Sequence, residues 1–143
     1  MRNHEVVKEQ FLLDKQGEIA EPGWSRKLLQ TYRRDDIKAS SIRIKEWDYY
    51  LIMGNEFGIA MTISDLGYIG MQSASFLDFK NQKEHTETVL NLLPMGKMNL
   101  PTTSLEGVTT YKDKRVDLKV VVENGIRHLT CDFKKFDGEK NLQ

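Results

Sequence analysis

Along most of this chain apolar and polar residues alternate with a period of two, and turn residues interrupt the alternation at intervals of roughly 8–12 positions. Residues 58–65 set Ile59, Met61 and Ile63 on one face against Ala60, Thr62 and Ser64 on the other, the pattern of a half-buried strand. Residues 115–122 repeat it with Val116, Leu118, Val120 and Val122. Asn124-Gly125 then predicts a type I′ hairpin, because both central positions of that turn need positive φ, and 126–133 is the returning strand. Further strands are predicted over 68–79, 88–93 and 108–111, with a short hairpin around Gly17. Residues 80–86 read as a polar loop. One segment has helical spacing: Ser25 can cap a short helix near residues 25–32, with Leu28, Leu29 and Tyr32 on one side. About eight or nine strands joined by tight turns predict an all-β antiparallel meander of the sandwich or barrel kind. Residues 1–10 are polar and expected to fray, 11–139 form one β domain, and 140–143 are a tail.

The stretch 42–53, IRIKEWDYYLIM, breaks the rule. Its even positions run Ile42, Ile44, Glu46, Asp48, Tyr50, Ile52, and its odd positions run Arg43, Lys45, Trp47, Tyr49, Leu51, Met53, so neither face is purely apolar. The preferred account is a bulge near Lys45 or Glu46 that shifts the phase, placing Trp47, Tyr49, Leu51 and Met53 in the core with Ile42 and Ile44. In the other account the phase holds. Glu46 and Asp48 then lie about 7 Å apart on the face of Ile42, Ile44, Tyr50 and Ile52. Carboxylates in that position need Arg, Lys, water or a ligand, and their spacing admits an acid–base pair.

Composition narrows the function classes. The chain has 143 residues, enough for a single core, with 21 Lys and Arg against 21 Asp and Glu. A net charge of zero lacks the basic excess of a nucleic-acid binder. The single cysteine, Cys131, excludes an internal disulfide, the N-terminal residues lack the apolar stretch of a signal peptide, and no apolar run is long enough to span a membrane. A cytoplasmic location is the expectation.

Familiar catalytic signatures and dinucleotide loops are missing, and no cofactor is expected. His128 and Cys131 are three apart on a strand, hence on opposite faces, so they do not form a shared metal site, and no metal is expected elsewhere. His128, Thr130 and Asp132 share the other face. YRRDDIK at 32–38 carries two arginines able to meet an anion, although Asp35 and Asp36 neutralise them locally.

Several separate blocks resemble one family in the right order: 19–24 (IAEPGW), RIKEWDYY, GYIG, SFLDF, GKMNLP and RHLTCDFKKFDG. Together they cover roughly residues 11 to 139 and resemble the bacterial Domain of Unknown Function 2804 family. The resemblance implies no catalytic residue. It does imply that members are about twice this length, that this chain corresponds to their N-terminal half, and that the chain is a fragment, a truncated form or part of a split gene. More distantly the family is similar to two-domain lipocalin-like proteins of the carotenoid-hydratase and hydroxyneurosporene-synthase type, which bind or transform apolar ligands. That likeness makes the expected fold a lipocalin-like barrel or strongly curved half-barrel. The leading functional expectation is binding of a small apolar or amphipathic ligand lined by Trp47, Tyr49, Tyr50, Tyr68 and His128. The alternatives are a hydratase- or isomerase-like enzyme using Glu46 and Asp48, and a structural half-domain that packs against a C-terminal half or a second copy.

Overall fold

In the computed structural model, which describes residues 3–143, the strands fall into two four-stranded antiparallel sheets and a short parallel pair. The first sheet is a plain meander of β3 (Glu46–Met53), β4 (Phe57–Asp65), β5 (Ile69–Asp78) and β6 (Lys83–Leu92). The second runs β7 (Gly107–Lys112), β8 (Val116–Glu123), β9 (Ile126–Asp137) and β10 (Lys140–Leu142). The parallel pair is β1 (Gln10–Phe11) with β2 (Gln30–Thr31). The all-β antiparallel meander read from the alternation is therefore present. The barrel is not: among the described residues no closed or curled barrel is found, because the strands divide between separate sheets.

One core joins the two sheets. Met61, Ile63, Ala74 and Val89 project from the first sheet toward Val116, Leu118, Val120, Val122, Phe133 and Phe136 of the second. The period of two explains each wall, since residues i and i+2 share a face. Polar links between the sheets sit at their margins. Thr109 Oγ1 donates to Asp48 at 2.6 Å, Arg115 Nη2 donates to Glu87 at 2.8 Å, and the His85 ring hydrogen-bonds the Phe136 carbonyl.

No α-helix occurs among the described residues, and the short helix expected over 25–32 is absent. That segment bends at Arg26 and Lys27, pairs only through β2, and gives way to a single 3₁₀ turn at Arg34–Asp36. An isolated helix this short is marginal, and pairing with β1 satisfies its backbone instead. The loop expected at 80–86 is cut short as well, because β6 begins at Lys83 and its inward His85 and Glu87 make the cross-sheet bonds. Residues 1 and 2 of the segment expected to fray lie outside the described residues. Beyond them Val6 is buried and its N–H donates to the Trp24 carbonyl at 2.8 Å.

A phase break does exist, but at the far end of the chain. Phe133 points inward, strict alternation would turn Phe136 outward, and Lys135 at φ 55° shifts the phase so that both are buried. The hairpin at Asn124-Gly125 forms as the sequence predicts, with φ of 51° and 76°. Residues 140–143, set apart as a tail, contain β10.

Cys131 lies half-buried on the inward face, and burial pushes its thiol up to about 11. Iodoacetamide alkylation at pH 8 is expected to run about 100-fold slower in the folded protein than in the same chain in urea, because the thiolate fraction falls by that factor. Phe133, fully buried, is expected to cost about 3–5 kcal/mol on Phe133→Ala, against less than about 0.5 kcal/mol for the exposed Ile126→Ala, both read from urea unfolding midpoints.

Candidate functional site

The register of β3 decides where its acids go. Glu46 pairs with Asp65, Asp48 with Ile63, Tyr50 with Met61 and Ile52 with Ile59, without a break from Glu46 to Met53. Ile63 and Met61 face the core, so Glu46, Asp48 and Tyr50 face inward too. The preferred bulge near Lys45 or Glu46 is thereby corrected: the phase holds. Trp47 and Tyr49 lie on the outer face, 61% and 55% exposed, opposite the small residues Ser64 and Thr62 of β4.

Each inward acid has found a partner in the protein. Glu46 accepts from the Tyr32 hydroxyl at 2.5 Å and forms an ion pair with Arg34, both side chains being largely buried. Asp48 accepts from Thr109, which is itself buried, and no cation pairs with it among the described residues. Burial raises the Tyr32 hydroxyl above the ordinary phenol range, against the opposing pull of Arg34. Burial raises Tyr50 as well, with the Asp48 charge adding to it and Arg127 opposing.

A relay of contacts holds Arg34 in place. The buried Asp65 at the end of β4 accepts from the Gly67 N–H at 3.0 Å and from the Gly96 N–H at 2.6 Å, tying the β4–β5 turn to the loop after β6. Gly96, at φ 91°, then lies directly under the Arg34 guanidinium; a Cβ there would come within 2.6 Å of Nε. Glycine is required at this point both for its φ and for the close approach.

Two adjoining grooves open along this margin. One, of about 310 Å³, is lined by Tyr32, Ile37, Glu46, Trp47, Asp48 and Leu100 among others. The second, of about 510 Å³, shares Tyr32, Asp48 and Pro101 with it and extends toward Leu28 and Leu105. The structure thus brings Glu46 and Asp48 together, with Trp47 between them in the chain at the groove's edge and its side chain turned outward. It does not bring the remaining expected ligand residues to them. Tyr49 faces outward, and Tyr50 lines a different, apolar cavity. Tyr68 is exposed in the β4–β5 turn, with Lys45 Nζ 4.5 Å from its ring centre. His128 projects from the outer face of the second sheet, since its neighbours Leu129 and Cys131 pack toward the core. Among the described residues no group of three or more metal-ligating side chains is clustered.

Tyr32, Arg34 and Thr109 are the site residues that sequence reasoning missed. The unbroken-phase account required Arg, Lys, water or a ligand for the acids, and only the folded chain shows Arg33 turning to Asp36 while Arg34 reaches Glu46. Arg34→Met is expected to destabilise by about 2–4 kcal/mol by stranding the Glu46 charge, and the double replacement Arg34→Met/Glu46→Leu should recover most of it, as a double-mutant cycle in urea would measure.

Against known proteins, no curated protein and no solved structure matches the chain. One family model, described as "Domain of unknown function (DUF2804)", matches residues 3–143, nearly the full length and including every residue of the grooves. The chain belongs to the DUF2804 family.

Proposed function

We propose that this domain binds a small amphipathic ligand in the paired grooves beside β3, with Asp48 anchoring a head group that donates hydrogen bonds. The position of Asp48 carries the reading. It lies where the two grooves adjoin, one of its oxygens is held by Thr109, and no cation neutralises it among the described residues. Apolar side chains stand on either side of it, Ile37 and Leu100 in one groove and Leu28 and Leu105 in the other, with Lys45 also lining the first. A carboxylate framed by apolar surface suits a ligand with an apolar body and a donor head, and a charge-assisted hydrogen bond there is roughly twice as strong as a neutral one. The acid–base reading of Glu46 and Asp48 draws less from the geometry, because Glu46 is committed to Tyr32 and Arg34.

The half-domain reading has an observation of its own. Trp47, Tyr49, Leu51 and Met53 form one exposed apolar row on the outer face of an edge strand. In a two-domain arrangement of the kind the family likeness implies, a second β domain would cover that row.

The ligand reading is tested by titrating hexylamine, hexan-1-ol and hexanoate into Trp24→Phe protein, where Trp47 is the remaining tryptophan. Hexylamine is expected to give a saturable change in Trp47 emission, at least about tenfold weaker in Asp48→Asn, which keeps an acceptor for Thr109 but loses the charge. Absence of a saturable signal with all three probes, or equal binding by Asp48→Asn, overturns the reading.

A further inference from the structure

The inward row of β3 does not end at Asp48. Tyr50 and Ile52 continue it and leave the grooves behind, entering a separate cavity of about 150 Å³ between the two sheets. We infer that this cavity is a second binding site, one that takes the compact apolar end of a small hydrophobic molecule, an end about the size of a benzene ring.

Its lining sets that chemistry. Ile59, Met61, Ala74 and Leu129 supply apolar surface from both sheets. Tyr50, Cys131 and Gln143 are the lining residues that carry polar groups. An apolar cavity of this volume holds water poorly and accepts molecules such as benzene or xenon. The floor is part of the packed core, with Met61 and Ala74 both buried. Ala74 faces Met61 across the β4–β5 register and is fully covered, so a larger side chain there would press toward the cavity.

The mouth points the same way. Ile52, Phe57 and Phe76 share the inward face of the first sheet with Ile59 and Ala74, yet stay 53%, 48% and 37% exposed. Phe57 and Phe76 stack with ring centres 6.3 Å apart. Large apolar side chains on a core-facing surface, left open beside a mainly apolar cavity, form an entry that favours an apolar molecule over water. The site is independent of Asp48, so the ligand reading of the grooves and this one stand or fall separately.

Benzene is the probe, followed by ¹H–¹³C spectra of the Ile, Leu and Met methyl groups in the full chain. Saturable shifts confined to Ile52, Ile59, Met61, Leu129 and Leu142, unchanged in Asp48→Asn, are the expected result. Ala74→Leu should fill the cavity and abolish the shifts. Ile52→Trp, which changes only the exposed mouth, should weaken binding at least about fivefold if Ala74→Leu fails to fold. Shifts that do not saturate, that spread over the outer faces of the sheets, that persist in the folded Ala74→Leu protein, or that saturate as tightly in Ile52→Trp as in the unchanged chain overturn the inference.

Discussion

A carboxylate turned toward a protein interior must be paired there, and β3 turns two of them inward. Much of the structure around β3 follows from that requirement. Glu46 draws Arg34 and Tyr32 from the segment after β2. Arg34 can reach it because Gly96 leaves room beneath the guanidinium, and Gly96 is where it is because the buried Asp65 holds its N–H. Asp48 draws Thr109 from β7 and so links the margins of the two sheets. Acids that look misplaced on a strand are thus the reason three otherwise distant segments converge.

The same constraint separates two kinds of surface on one strand. Along its inward row β3 passes from Glu46 and Asp48, flanked by grooves, to Tyr50 and Ile52, which border an apolar cavity. Along its outward row it shows Trp47, Tyr49, Leu51 and Met53 to the surroundings. A strand normally keeps its apolar residues for the core and its polar ones for solvent. Here the acidic half of the row is inside and the aromatic half outside, an inversion that local rules count as frustration and that proteins retain mainly where a site or an interface needs it.

Much of the architecture was legible from the chain. The clean alternation at 58–65 and 115–122 placed β4 and β8, and Asn124-Gly125 placed the hairpin between β8 and β9, because those signals are local. Legibility failed where nonlocal partners override local preference. Ser25–Tyr32 had helical spacing, yet sheet pairing with β1 claimed it. Lys83–Thr86 looked like loop, yet His85 had a carbonyl to meet across the sheets. The candidate site was half legible: Glu46 and Asp48 stood out as acids among aromatics, whereas nothing local connected them to Tyr32, Arg34 or Thr109.

By itself the sequence determined that the chain is built of antiparallel strands and which residues share a face within each cleanly alternating strand. A period of two is a property of the extended backbone and needs no partner to be read. Only the tertiary structure decided which face of that strand is inside, that the strands form two sheets rather than a barrel, and which cation meets which acid. Those outcomes depend on pairing register and on contacts between residues far apart in the chain, whose energies compare whole arrangements of the molecule and are written in no single segment of it.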